Sequence, residues 1–208
     1  MTSKRTRNRS LFAVLTALAV WNLPGSAVIV SAEDQKPEVQ RLFQSGHYEQ
    51  AVEAARDADP ASAYLAAQSL LKLDRTEQAV SEFTRLRSND QPAWRLVGES
   101  GEALAAHDTG RAVDLARRAT AADGSNPFAF YQLGLAASKA ADWGTANSAL
   151  ARAIELKPDL AYAHYYNALV HQRMRQLPQA AAHFEAFLRL APEAPERQAV
   201  QAIMRSLK

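Results

Sequence analysis

No cysteine occurs in this chain of 208 residues. Disulfides, thiolate metal sites, a cysteine nucleophile and lipid attachment through an N-terminal cysteine are excluded together. Glycine and proline are scarce as well, eight and nine residues, too few for the turns of a strand-rich protein of this length. Alanine dominates the apolar fraction, which favours helices. A large excess of one charge sign is also missing, with 24 Lys plus Arg against 22 Asp plus Glu. At 48% hydrophobic and 22% charged residues, the composition is that of one modest globular domain and not of a disordered, collagen-like or many-spanning membrane chain.

What is present is divided unevenly. Residues 1–32 begin with Lys4, Arg5, Arg7 and Arg9, continue through an apolar stretch over residues 11–21, and break at Pro24-Gly25 before a run of small residues. This is the three-part layout of a secretory signal peptide. Two small-residue cleavage sites are readable, Gly25-Ser26-Ala27 and Val30-Ser31-Ala32, the second followed at once by Glu33-Asp34. The competing expectation is an uncleaved anchor, because residues 11–30 reach the roughly 20 residues that span a bilayer. Asn22, Pro24 and Gly25 fit such a span poorly. Either way the positive start stays inside, so the remainder is expected to be exported: periplasmic or secreted, or anchored to the inner membrane by residues 11–30. Removing residues 1–32 takes away four cations and no acid, leaving 20 against 22 and a net charge of −2. No basic stripe remains for phosphates, so nucleic acid is not expected as a partner. A membrane is expected as one only if the N-terminal segment is retained.

Residues 33–208 repeat. Ala112, Ala146 and Ala180 stand 34 apart, and Ala119, Ala153 and Phe187 fall into step with them. So do Gly124, Pro158 and Pro192, and Trp94, Phe128 and Tyr162. A fixed period of 34 with two amphipathic stretches per unit is the mark of a helix-turn-helix repeat. In residues 127–160, Asn126 can cap a helix and Pro127 suits its first position, where the missing N–H loses no bond. Phe130, Leu133 and Ala137 recur at helical spacing, Ala141-Asp142-Trp143 makes the turn, Ala146, Leu150 and Ala153 carry a second helix, and Lys157-Pro158-Asp159 ends it.

These residues resemble the tetratricopeptide repeat family, whose pattern runs W-x-x-L-G-x-x-Y, then A-x-x-x-F, then P. The unit offers Phe130-x-x-Leu133-Gly134-x-x-Ala137, Ala146-x-x-x-Leu150 and Pro158; the next offers Ala168, Ala180-x-x-x-Phe184 and Pro192 but departs at Asn167 and His171, where Leu and Tyr are usual. Upstream, Ala112, Ala116 and Ala119 stay in phase while Glu99, Ser100 and Gly124 depart, and Ala79-x-x-x-Phe83 and Gly46-His47-Tyr48 with Ala51 mark two earlier units. The resemblance implies an all-α, α-α superhelix, a tetratricopeptide solenoid of about five hairpins over residues 33–59, 60–92, 93–126, 127–160 and 161–194. Residues 195–208, with Ala199, Ile203 and Leu207 at fourfold spacing, are expected to form a capping helix that closes the open end.

The resemblance also implies a concave face lined by the first helix of each pair. Its second and fifth places hold Trp94 and Val97, Phe128 and Tyr131, Tyr162 and Tyr165, with Tyr64 one unit earlier. Aromatics at these places are expected either to form a ladder that grips a peptide or a sugar chain, or to pack one repeat on the next. Lys139 and Arg173, also 34 apart, offer charge to an acidic ligand or are solvated ends covering apolar surface. Family members that bind chaperone tails use Lys and Asn at the fifth and ninth places. Here those hold Tyr131, Leu135, Tyr165 and Leu169, and that role is not expected.

No enzyme pattern stands out. His164 and His171 are seven apart, about 10.5 Å along a helix axis at 1.5 Å per residue, too far for one metal ion and without a third donor. Gly98-Glu99-Ser100-Gly101 lacks the glycine two after the serine that a nucleophile elbow needs, since Glu102 stands there. Glu53 and Asp57 are expected on solvated faces, and no phosphate-loop or dinucleotide fingerprint occurs. No catalytic residue, cofactor or metal is expected. The function expected is a non-enzymatic adaptor of the cell envelope or periplasm that holds a protein or peptide in its groove. The alternatives are a carbohydrate-binding module of polysaccharide export or cell-wall biogenesis, and a membrane-anchored assembly factor.

Overall fold

The period of 34 becomes a succession of helix pairs. The computed structural model describes residues 32–206, so the expected signal segment lies outside the described residues, apart from Ala32 at its end. Among them every regular element is an α-helix, in five pairs and a final single helix: α1 (Ala32–Gln44) with α2 (Tyr48–Ala54), α3 (Pro60–Lys72) with α4 (Thr76–Arg87), α5 (Pro92–Ala105) with α6 (Thr109–Ala122), α7 (Pro127–Lys139) with α8 (Trp143–Leu156), α9 (Ala161–Arg173) with α10 (Leu177–Leu190), and α11 (Arg197–Ser206). None of them is long and apolar enough to cross a membrane.

Local chemistry sets the ends. Pro60, Pro92 and Pro127 open α3, α5 and α7, and Asn126 accepts from the N–H groups of Phe128 and Ala129, as its side chain at the cap of α7 should. Each pair turns through one residue with positive φ: Gly46 (79°), Asp74 (57°), His107 (61°), Ala141 (58°) and Arg175 (59°). In each case the following N–H reaches back five residues, His47 to Leu42, Arg75 to Leu70, Asp108 to Ala103, Asp142 to Ala137 and Gln176 to His171, at 2.9 Å. This is the Schellman closure of a helix C-terminus. Asp108 and Asp142 then cap the next helices through the N–H of Arg111 and Thr145, so one residue ends one helix and starts another.

Consecutive helices pack on each other, and first helices also pack on first helices, α1 on α3, α5 on α7 and α7 on α9. The wholly buried alanines Ala79, Ala112, Ala146 and Ala180 occupy one register place on the second helices. One continuous apolar core runs from Val39 to Val200.

The solenoid also closes on itself. Gln40 Nε2 donates to the Asp159 carbonyl (3.1 Å) and carboxylate (3.0 Å), and Gln44 Nε2 donates to the same carbonyl at 2.8 Å. The Tyr48 and Tyr162 hydroxyls are 3.0 Å apart, Tyr162 donates to Glu196 at 2.7 Å, and Lys72 pairs with Glu196 at 2.6 Å. Phe43 packs its ring 4.8 Å from that of Tyr162. Gly46 lies so close to Pro195 that a Cβ there would sit 2.5 Å from its Cγ. The first pair is thereby held against the fifth and against the start of the terminal helix.

Candidate functional site

Packing decides what the concave face can offer. Of the aromatics placed there from the sequence, Tyr64, Tyr131 and Tyr162 are no more than 1% exposed, and Trp94 and Phe128 are buried too. Their rings meet one another: Tyr64 lies 5.7 Å from Phe128, 6.5 Å from Trp94 and 6.1 Å from Tyr131, and Trp94 lies 5.8 Å from Phe128. Tyr165 is half-buried between Tyr162 and Phe187. The ladder of open ring faces is therefore corrected to an internal aromatic core. Tyr64, Trp94, Phe128 and Tyr131 are covered by one another across successive repeats, and the closure adds Phe43 and Tyr48 over Tyr162. Burial raises the hydroxyls of Tyr64 and Tyr131 well above the ordinary tyrosine range and that of Tyr166 to about 12, the last also through the charge of Glu196. All three stay neutral near pH 7.

The Tyr64 hydroxyl donates to Gln132 Oε1 at 2.8 Å, Gln132 Nε2 donates to Ser100 Oγ at 3.0 Å, and Ser100 donates to the Ala112 carbonyl at 2.9 Å. Ser100 is thus a buried link in a relay across α3, α5, α6 and α7, inside a helix, and not a nucleophile on an elbow. Glu53 is exposed and paired with Arg56, and Asp57 is exposed.

A cleft of about 650 Å³ opens at the turn ends of the first helices. Leu71, Leu104, Leu135 and Leu169 supply apolar wall from α3, α5, α7 and α9 in turn, Trp143 and Tyr166 add rings, and Gln68, Gln132 and Gln172 add amides. Lys72, Lys139 and Arg173 bring positive charge, and among the described residues no Asp or Glu lines the space. Glu196 neutralises Lys72. Among the described residues Lys139 and Arg173 enter no ion pair. Ser138, also in the wall, has a buried Oγ without a hydrogen-bond partner among the described residues. Of the residues expected at a binding face, Lys139 and Arg173 reach this cleft and the aromatics do not line it. Trp143, Tyr166 and Lys72 were missed. Lys72 belongs to the register of Lys139 and Arg173, but Ala105 interrupts the series at the intervening repeat.

Away from the cleft, the histidines differ from their sequence reading in one respect. His183 on α10 stands beside both His164 and His171, its ring centroid 5.4 Å from that of His164 and 5.3 Å from that of His171. Among the described residues no group of three or more His, Asp or Glu is placed to hold a metal ion together.

No family model and no curated protein matches this chain. Solved structures do. A thermophilic tetratricopeptide-repeat protein of Thermus thermophilus superposes with a TM-score of 0.60 at 18% identity, covering 85% of this chain and 98% of that one. YrrB, a tetratricopeptide-repeat protein with an unusual peptide-binding site, gives 0.52 at 15% identity over 83% of this chain and 92% of its own. The first tetratricopeptide domain of Spaghetti, bound to an HSP90 peptide, gives 0.53 at 19% identity over 57% and 92%. At such identities the likeness establishes the fold: an all-α solenoid of the tetratricopeptide type, with five hairpins and a terminal helix.

Proposed function

We propose that the chain is a non-enzymatic adaptor that holds an acidic peptide, or an acidic segment of a partner protein, in the cleft between its first helices. The observation that carries this reading is a cleft wall without a carboxylate among the described residues, in which the same pair recurs one repeat on, Leu135 with Lys139 and Leu169 with Arg173. A segment crossing α7 and α9 meets an apolar contact and a cation twice at the same spacing. Leu, Trp143 and Tyr166 supply buried area, and the two cations fix sign and register through charge-assisted bonds. Ser138 offers one more polar contact. Peptide binding by YrrB and by the Spaghetti domain, proteins of the same fold, supports the class of partner. The sugar-stacking alternative stood on exposed faces of Trp94, Tyr131 and Tyr162, which the core now occupies.

Trp143, half-buried at the cleft, is the reporter. Fluorescence titration of the full chain with apolar-acidic peptides should saturate and weaken as salt rises. The same peptides with Lys in place of their acids should bind at least tenfold more weakly, and the double variant Lys139→Glu, Arg173→Glu should reverse the preference. Equal binding of acidic and basic peptides, or no change in the double variant, would overturn the reading.

We also infer that the adaptor works outside the cytoplasm, in the envelope or periplasm, on the support of the layout of residues 1–32 alone. If residues 11–30 are retained, the same cleft serves a membrane-anchored assembly factor. The intact mass of the native chain tests export: loss of the residues up to Ala27 or Ala32 supports it, and an untrimmed chain in the cytosolic fraction counts against it.

A further inference from the structure

The fifth hairpin is unlike the fourth at four places that touch one another. Subtracting the period of 34, His164, Asn167, His171 and His183 correspond to Phe130, Leu133, Ala137 and Ala149, all apolar. The fold therefore does not need polar side chains there, and burying Asn167, 1% exposed, and His171, 8% exposed, costs free energy that apolar residues would not cost. On α9, His164, Asn167 and His171 follow at helical spacing and face His183 on α10. His164 Nδ1 and His183 Nδ1 are 3.2 Å apart.

The outer ring nitrogens settle which inner ones can bind. His164 Nε2 lies 3.2 Å from the Pro158 carbonyl. A carbonyl oxygen only accepts, so that nitrogen carries the proton and the Nδ1 of neutral His164 carries a lone pair. His183 Nε2 lies 3.2 Å from the Asn167 amide nitrogen, while Asn167 Oδ1 is buried with no partner among the described residues. An amide can present either end to an imidazole. With Nδ2 toward the ring, His183 holds its proton on Nδ1 and donates it to His164. With Oδ1 toward the ring, His183 donates from Nε2 and the two Nδ1 lone pairs face each other. The second arrangement has the form of a metal site: each imidazole binds through one nitrogen and gives its other N–H to a carbonyl oxygen. Two nitrogens at 2.0–2.1 Å from a tetrahedral ion stand about 3.3 Å apart, close to the separation found.

We propose that His164 Nδ1 and His183 Nδ1 bind one divalent transition-metal ion of the zinc class, with water completing its coordination. Asn167 holds the tautomer of His183, and His171 is a stacked neighbour, tied through Nδ1 to Gln176 Oε1 at 2.6 Å, that does not ligate. On metal entry the His183 proton leaves Nδ1 and one is taken up at Nε2, so both rings remain neutral ligands and no net proton is released. The ion would clamp α9 to α10 beside the hairpin that closes the solenoid.

The test is titration of chelator-stripped, tag-free full chain with zinc chloride, read by calorimetry and by nitrogen-15 NMR of the imidazoles. One ion per chain is expected, with the His183 proton moving from Nδ1 to Nε2. His164→Phe and His183→Ala restore the residues of the fourth hairpin and so should fold; each should weaken binding at least tenfold, while His171→Ala should leave it within about twofold. No saturable binding up to millimolar zinc, unchanged His183 tautomer, or equal binding in the His164→Phe and His183→Ala variants would overturn the proposal and leave the relay from Asn167 to Pro158 as the whole role of the cluster.

Discussion

At the scale of single residues, the turn between paired helices is where cost and function of a position separate most clearly. Five successive pairs demand a left-handed residue there, yet only the first uses glycine. Asp74, His107, Ala141 and Arg175 each carry a Cβ into that region, which costs roughly 1–2 kcal/mol for an L-residue without a compensating bond. Ala141 has no side-chain polar group to compensate. Ala141→Gly is therefore expected to raise stability by about 0.5–1 kcal/mol, allowing for the extra freedom glycine has when unfolded. Urea unfolding monitored by circular dichroism reads this directly, and a midpoint equal to or below that of the parent would refute it. Lys139 and Arg173 were legible in the sequence as a pair because charge recurring with the repeat must fall on one edge of the solenoid. His183 was not legible as a partner of His164, because the two lie on different helices and only the packing of α9 on α10 sets their separation.

At the scale of elements, small residues decide how closely helices approach. Gly98 on α5 faces α4 so tightly that a Cβ would lie 2.5 Å from the Phe83 carbonyl oxygen and 2.7 Å from the Arg87 nitrogen, and Gly101 lies against the Phe83 ring. The obstacle at Gly98 is backbone, which cannot move aside as a side chain does. Gly98→Ala should force α5 away from α4 and destabilise the chain by about 1–3 kcal/mol; a calorimetric melting midpoint within a degree of the parent would show that the helices can slide without loss. The helices themselves were readable from the 34-residue period, the prolines and the caps. The role of Gly98-Glu99-Ser100-Gly101 was not: its glycines answer to the neighbouring helix, and its serine to Gln132 and Ala112, more than ten residues away in each case.

For the molecule as a whole, the seam between first and last hairpins is a candidate for the weakest joint, because each repeat elsewhere is braced by chain neighbours. Its polar centre is Glu196. Burial alone would raise this carboxyl, but the Lys72 ammonium and the Tyr162 hydroxyl overcome that and hold it below the ordinary glutamate range. The folded state therefore binds this proton less readily than the unfolded chain. The stabilisation is present in full above the unfolded pKa, near about 4.3, and drains away as pH falls through the lowered folded value. Glu196→Gln should cost about 1–3 kcal/mol at pH 7, and its deficit relative to the parent should shrink below about pH 4. Thermal unfolding of both proteins at pH 7 and pH 3 measures this; an equal deficit at both would mean that the charge is not what holds the seam.

The amino-acid sequence by itself determined the repeat, the helical hairpins, the terminal helix and the one-sided line of Leu135, Lys139, Leu169 and Arg173. Each of these follows from local propensity and from a spacing that returns the same residue type to the same face. Tertiary structure alone decided that the aromatics at the same register turn into a core. It also decided the seam, through contacts such as Gln40 with Asp159 and Lys72 with Glu196, 119 and 124 residues apart. A nearest-neighbour pattern specifies how one repeat sits on the next, but small rotations add up over five repeats, and only their sum determines whether the ends meet. Here they meet, and that closes the seam while leaving the cationic edge open.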